Sequence, residues 1–338
     1  MWRATHRERP EFLATSNAKR TSLLLGPHEW TVHNDSKLCS IASTYTTKLK
    51  LTGCSEEDFT CGNGSCVHMT RRCDGKIDCS DESDEAECKA FVQSIGYNRF
   101  AAPPPLPNDQ QLDLHLAISI QEIVEISEKE GFLRCKSIQT RKWIDQKVTF
   151  QNLQNNSKLN IIHPEDRSLL WKPWTIFNNI EDRSKYTATD TEPLWKVIPN
   201  SNHSFELADN SFLHNTHLFD GASNMISYEN AFTVEWLCDF HMEWFPFDTQ
   251  SCRMEFYQHE DDVRLVPEDV KYSGGELPQH ILRNITMCST MIDGKQGVIV
   301  EIILGRPIFS SFVTVNSILR IIKNQTQKHP LTPQFSKS

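Results

Sequence analysis

The stretch CDFHMEWFPFDTQSC, Cys238 to Cys252, sets thirteen residues between two cysteines around the centre Trp244-Phe245-Pro246-Phe247-Asp248. A disulfide here would staple neighbouring strands and contribute roughly 3 kcal/mol for a loop of this size. A staple alone, however, needs no particular loop sequence. Phe245-Pro246 favours a tight turn and admits a cis peptide bond. Phe247 is then left as apolar surface at the tip, and Asp248 is free to bond nearby backbone or a basic group. Apolar side chains held rigidly in the open are best explained by a surface that they touch.

Outward from this ring, the chain reads as strands. In LDLHLAISI, the residues Leu112, Leu114, Leu116, Ile118 and Ile120 alternate with other residues, the period of a strand with one buried face. Short β-like segments follow at KSIQTRKWI, KVTFQNL, WKVI, NAFTVEWLCDF, SCRMEFYQ and GVIVEIILG, with Asn, Asp, Gly, Pro and Ser between them. One helix is expected near HPEDRSLLW, with Pro164 in its first turn. Many short strands with turn signals predict a mainly β protein with a sandwich. No Rossmann glycine fingerprint, P-loop or HExxH pair occurs, and no nucleophile-base-acid set emerges, so the chain does not read as an enzyme.

Length and composition bound the rest. The 338 residues are enough for two or three domains, and 38% apolar with 23% charged residues is ordinary for folded protein. A net charge of −9 argues against nucleic acid as a partner. Eleven cysteines and the Asn-x-Ser/Thr triplets at Asn34, Asn63, Asn155, Asn202, Asn284 and Asn324 point to an oxidising, glycosylating compartment. The opening MWRATHRERPEFLATSNAKR lacks the apolar core of a secretory signal. No run approaches the roughly 18 apolar residues of a membrane span. An extracellular composition without these segments leads us to expect a fragment, an incomplete gene model or a splice form.

Residues 1–53 read as an N-terminal segment, poorly ordered to residue 27 and with one or two strands after it, the tail of a missing domain. Cys39 has then lost its partner or is a free cysteine in a linker. Residues 54–88 are the cysteine-dense module. Residues 89–109, ending in AAPPPLPND, read as a stiff Pro-rich linker.

The module spans thirty-five residues with cysteines at 54, 61, 66, 73, 79 and 88. So short a segment cannot bury an adequate apolar core, and disulfides can replace one. Six cysteines permit many pairings, and spacing does not choose among them. Ten Asp/Glu stand against three Lys/Arg between Cys54 and Cys88. In CDGKIDCSDESDEAEC these like charges repel unless a hard cation such as calcium takes its usual six or so oxygens from them. The cysteines, CDGKIDC and SDE together resemble the LDL-receptor class A repeat over its full length. That resemblance implies the pairs Cys54–Cys66, Cys61–Cys79 and Cys73–Cys88. It implies calcium held by side chains of Asp74, Asp78, Asp84 and Glu85 and the carbonyls of Arg71 and Lys76, with Phe59 and Val67 as a small core. Ligand-binding repeats often carry an aromatic at the position of Arg71 and capture a partner lysine in the acidic rim. This module therefore has an extracellular protein as a candidate partner, or none.

The thirteen-residue ring with its Phe-Pro-Phe-Asp core resembles the signature loop of the Cys-loop pentameric ligand-gated ion channels. Supporting motifs are Trp143-Ile144-Asp145, the Trp171-Lys172-Pro173-Trp174 segment before IFNN, and GVIVEIILGRP with Arg306 where the family turns toward the membrane. The family has Asp where this chain has Trp174. The resemblance implies a sandwich of about ten strands over residues 110–308, assembly into a pentamer with other subunits, and a small-molecule ligand between them. It makes Phe245, Pro246, Phe247 and Asp248 the coupling loop. Many members hold a cationic transmitter in an aromatic cage. The matching positions here are Ile138, Asn178 and His259, none an aromatic, which disfavours acetylcholine-like agonists. Tyr257 and Phe177 line a pocket or pack the core. Asn284–Gly297, at the family's capping loop, has Cys288 but no vicinal cysteine pair. Residues 309–338 read as the truncated start of a first membrane helix and an irregular tail, so the chain as given conducts no ions alone. The expected role is the extracellular ligand-binding part of a channel subunit, at the outer face of the plasma membrane. The alternative is a secreted soluble protein that binds a ligand or another protein with the same sandwich and a class A interaction module.

Overall fold

A computed structural model describes residues 2–6, 9–16, 25–34, 43–55, 57–86, 88–92, 96–180, 187–188, 192–200, 205–207 and 216–307. The protein is mainly β and divides into two compact units.

The first unit comprises Met1–Asn98, Ile144–Leu170 and Trp195–Ile226. Its N-terminal part is an antiparallel sheet of β1 (Trp2–His6), β2 (Arg9–Ser16), β3 (Gly26–Asn34) and β4 (Ser43–Leu51) in sequential order. Within the segment expected to be poorly ordered up to residue 27, the described residues 2–6, 9–16 and 26–27 lie in these strands. Alternating Trp30 and Val32 with Thr-rich neighbours, and a nine-residue register between β3 and β4, supply a ladder long enough to recruit β2 and β1.

The module follows, with a hairpin of β5 (Asp58–Thr60) and β6 (Cys66–His68) and a single 3₁₀ turn at Met69–Arg71. Its bridges are Cys54–Cys66, Cys61–Cys79 and Cys73–Cys88. Phe59, Met69 and Val67 pack around Cys61 and Cys79. The Arg72 guanidinium lies 4.1 Å from the centre of the Phe59 ring and donates to the carbonyls of Ser83, Asp84 and Ala86. One buried arginine thus ties the acidic turn to the small core.

The segment read as a linker is not purely a spacer. Phe91 and Val92 form β7, which pairs with β10 (Thr149–Gln151) so that Phe91 stands opposite Phe150. β10 also pairs with β15 (His217–Asp220), and β15 with β14 (Phe205–Leu207). Burial explains the recruitment, since Phe91, Phe150 and Phe219 are all buried. Tyr97 donates to Asp145 Oδ2 at 2.6 Å within the same unit. A side chain at Gly221 would meet the Asp145 carbonyl at 2.1 Å, so only glycine admits this close approach. The expected helix is one turn, α1 (Pro164–Arg167), with Pro at its start. β13 (Leu194–Ile198) bridges Ile161 through Lys196.

The second unit comprises Arg99–Trp143, Trp171–Leu194 and Ser227–Ser338. One sheet runs β12 (Thr187–Ala188), β16 (Met225–Leu237), β9 (Phe132–Ile144), β8 (Leu112–Ser127) and β18 (Val263–Tyr272). The other runs β11 (Thr175–Phe177), β17 (Thr249–Gln258), β20 (Lys295–Gly305) and β19 (Ile281–Ile292). Leu112, Leu114, Leu116, Ile118 and Ile120 are all buried, as alternation requires. Aromatic rings join the sheets. Phe177 meets Phe232 and Trp236 of β16 at 5.2 and 5.4 Å and Phe256 of β17 at 5.5 Å. Residues 284–297, matched to a capping loop, form the β19–β20 hairpin, turned by Asp293 and Gly294 at positive φ.

Candidate functional site

The quoted ring closes by a Cys238–Cys252 disulfide at the start of β17. Phe245-Pro246 is cis. Backbone bonds from Phe245 N to Met242 O (3.1 Å) and from Phe247 N to Trp244 O (2.7 Å) curl the tip. Trp244 is 78% exposed and Phe247 68%, while Pro246 and Asp248 are buried. The loop therefore shows the rings of Trp244 and Phe247, and less of Phe245, to its surroundings and turns its acid inward.

That acid is clamped. Arg306, just past β20, donates through Nε to Asp248 Oδ1 at 2.7 Å and through Nη2 to both Asp248 Oδ2 (3.2 Å) and Glu128. Its guanidinium also lies 4.7 Å from the centre of the Phe245 ring. Buried His280 shares the Glu128 carboxylate at 2.9 Å. Gln250 donates to Asp248 and to the His241 carbonyl. Burial alone would raise the Asp248 pKa, but the hydrogen bonds from Arg306 and Gln250 outweigh it and hold the carboxyl below its ordinary value. Asp248 was expected to bond nearby backbone or a basic group and Arg306 was singled out separately after the last strand; the structure joins the two. Glu128 and His280 were not singled out, because they join the cluster from 178 and 26 residues before Arg306 only through the folding of the sheets.

In the acidic module, the Glu85 carboxylate accepts from the backbone N–H of Asp74 and Gly75, and Asp74 Oδ1 accepts from Lys76 N. Gly75 takes φ 82°, which the turn between these acids requires. Asp78 N donates to Asp84 Oδ2 at 2.6 Å. The other Asp84 oxygen is buried and has no hydrogen-bond partner. A buried carboxylate oxygen without a donor is costly, and a cation bound between the acids removes that cost. Burial, then the charges of Asp74 and Asp84, push the Glu85 pKa up against two backbone hydrogen bonds, a repulsion that a divalent ion reverses. The donor set thus fits a hard cation. Asp81 also lies near the Cys61 and Cys79 sulfurs, but these form a disulfide and provide no thiolate. The Arg71 side chain, where an aromatic was noted as missing, pairs with Asp78 Oδ1 at 3.0 Å.

The three cage positions lie on or just after three different strands. Ile138 is half-buried on β9 of one sheet. Asn178 follows β11 of the other and donates to Glu255 Oε2 at 2.8 Å. His259 is exposed just after β17, its carbonyl accepting from Lys295 Nζ at 2.9 Å. Asn155 and Asn284 are exposed. Asn63 is exposed but engaged, its amide nitrogen donating to Ser80 Oγ at 2.7 Å. Asn34 ends β3, with its side chain outside the description. Asn202, Asn324, Cys39 and residues 309–338 lie outside the described residues.

Residues 85–286 match the model of the neurotransmitter-gated ion-channel ligand binding domain. The chain belongs to this family. Residues 52–88 match the low-density lipoprotein receptor domain class A, and the module is one. The ligand-binding domain is similar to acetylcholine receptor subunit alpha-type unc-38 of Caenorhabditis elegans, with 22% identity over 204 residues, 59% of this chain and 34% of that protein. Atrial natriuretic peptide-converting enzyme of Homo sapiens is 39% identical over 56 residues, 17% of this chain and 5% of the enzyme. Low-density lipoprotein receptor-related protein 8 of Homo sapiens is 40% identical over 52 residues, 15% of this chain and 5% of that receptor. The chain thus spans about a third or less of the length of these relatives. The converting-enzyme likeness is confined to the class A region, and the ligand-binding domain family is non-enzymatic. Among the described residues, no helix is long and apolar enough to cross a membrane.

Proposed function

We propose that this chain is the extracellular ligand-binding part of a Cys-loop channel subunit, assembled with other subunits in a pentamer at the outer face of the plasma membrane. The observation that carries this reading is the exposed Trp244–Phe247 tip anchored through Asp248 to Arg306. A soluble binder needs no rigid apolar tip beside the last strand. A subunit that must press on a pore does. Ligand binding between adjacent sandwiches shifts a closed-open equilibrium by its differential affinity for the two states, and Phe245, Pro246, Phe247 and Asp248 carry that shift onward. Since Ile138, Asn178 and His259 replace the aromatic cage, the ligand is a small molecule other than a quaternary amine. Calcium, held by Asp74, Asp78, Asp84 and Glu85 with the carbonyls of Arg71 and Lys76, shapes the class A module. Asn34, Asn155, Asn202 and Asn284 are its glycan acceptors in this reading.

The test is a chimaera in which residues up to Pro307 are joined to the pore of a pentameric channel and screened for ligand-evoked current. Phe247→Ala should weaken gating while assembly and ligand binding persist. Normal gating in an assembled Phe247→Ala chimaera would defeat the coupling role. Ligand binding by the chain with no current in any chimaera would favour the secreted binder instead.

A further inference from the structure

The ring between Cys238 and Cys252 holds a side chain that the coupling role above does not use. That role takes Phe245 to Asp248 and leaves Trp244, 78% exposed, without an assignment. The Trp244 indole has no hydrogen bond or ring partner among the described residues. It is not the only apolar group in the open. Leu237, Met242, Phe245 and Phe247 are exposed along the same stretch. The disulfide and the Asp248–Arg306 clamp hold this edge in one shape, so little freedom is lost when something covers it.

The charge around the edge has one sign. Between Cys238 and Cys252 there is no Lys or Arg. Asp248 is buried against Arg306, whereas Asp239 and Glu243 are exposed. The one imidazole of the stretch, His241, is exposed 3.9 Å from Asp239.

These two features together select a surface. Rings in the open call for an apolar layer, and exposed carboxylates call for fixed cations above it. An anionic bilayer offers the layer but repels these acids, and the −9 of the whole chain with them. A bilayer of choline lipid offers both. Its trimethylammonium groups are attracted by carboxylates and by the face of a Trp ring, and the zone beneath them is where Trp partitions.

We propose that the Trp244 edge of the ring docks on a phosphatidylcholine surface. The indole sits among the headgroups, and Glu243 and Asp239 face the choline ammoniums. That a membrane lies beside this edge rests on the reading above. Phe247 then presses on the pore while Trp244 holds the loop to lipid. One such contact is weak, and five copies in a ring multiply it.

The test uses the full chain in calcium with vesicles and no pore, so its result is separate from the chimaera's. Current in the chimaera without vesicle binding here would keep the subunit reading and overturn the lipid contact. Phosphatidylcholine vesicles with brominated acyl chains should quench part of the Trp emission. Trp244→Ala should remove that quenching and weaken cosedimentation at least about tenfold. The ring is exposed, so this variant should melt with the wild type. Vesicles in which about half the lipid is phosphatidylglycerol should bind about tenfold more weakly, and uncharged galactolipid vesicles at least about threefold more weakly. Glu243→Lys should erase the preference for choline lipid over phosphatidylglycerol. No saturable binding to phosphatidylcholine up to about 10 mM lipid, cosedimentation unchanged by Trp244→Ala, or equal binding to galactolipid would each overturn the proposal. So would dimers in sedimentation velocity that Trp244→Ala disperses, since a second copy of the chain would then cover the edge.

Discussion

The class A module and the second unit hold their shapes by different means. In the module the buried apolar set is Phe59 and Met69 beside Cys61 and Cys79. The rest is three disulfides, a buried arginine and a ring of acids. In the second unit, Trp143 and Trp171 meet edge to face at 5.7 Å, and Trp236 meets Phe256 at 5.2 Å. Few residues leave the module little surface to bury, so its stability is lent by covalent and ionic links. Disulfides depend on the redox state of the medium, and the proposed calcium site would add a dependence on the cation, whereas an apolar core has neither.

The first way to break this contrast is to remove the links. Each bridge closes a loop with a sequence separation of 12, 18 or 15, worth roughly 3 kcal/mol by the chain-entropy account. Reduction should therefore expose residues 54–88 to protease completely while the sandwich stays resistant. Chelation of calcium, or Asp84→Ala, should loosen the same residues. Unchanged protection of 54–88 in chelator would remove the cation from the account. The converse substitution is Trp236→Ala. Trp236 is fully buried between Phe177 and Phe256, so its truncation should cost the second unit about 3–5 kcal/mol. Denaturant melts should show the module's own protection unaffected. Loss of both together would mean that the two do not stand by separate means.

Much of this contrast was legible in the residues. The alternation from Leu112 to Ile120 marks β8, and six cysteines among acids mark the module. β18 and β19 were not legible. VRLVPEDVKY carries a proline and mixed charges, and ILRNITMCSTMI alternates too weakly to declare a buried face, since its residues are mostly exposed or half-buried. β7 is two residues long, below any period, and is called into a sheet only by burial of Phe91 against Phe150. The Glu128–His280–Arg306 cluster has no sequence signal, because it depends on three distant chain segments meeting.

That cluster is where the sandwich uses the module's device, charge in place of grease, and it sharpens the comparison. Asp248 and Arg306 are both nearly excluded from solvent. Breaking a buried pair strands a charge, so Arg306→Gln should cost about 3 kcal/mol, less than Trp236→Ala at its upper range. The pH response has a fixed sign. Asp248 has a folded pKa below its ordinary 3.8. Its contribution is complete above that value and is lost as pH falls through the lower folded value. Acid melts of the wild type should show this loss below about pH 3.8, and Asp248→Asn should remove it. An acid limb of equal size in both would place the titration elsewhere.

The smallest effect separates two uses of cysteine. In the module the cysteines are cross-links, while in the second unit Cys135 is buried filler and Cys288 is exposed, and neither is bridged. Burial pushes the Cys135 thiol up to about 12 despite a hydrogen bond from Ser137 Oγ, so it forms almost no thiolate at neutral pH and has no path to a reagent. Iodoacetamide on the native chain should therefore alkylate Cys288 and spare Cys135, as read by peptide mapping. Cys288→Ser should change stability by no more than about 0.5 kcal/mol. Rapid native alkylation of Cys135 would mean that β9 opens to solvent, and the second unit would then be no better sealed than the module it is contrasted with.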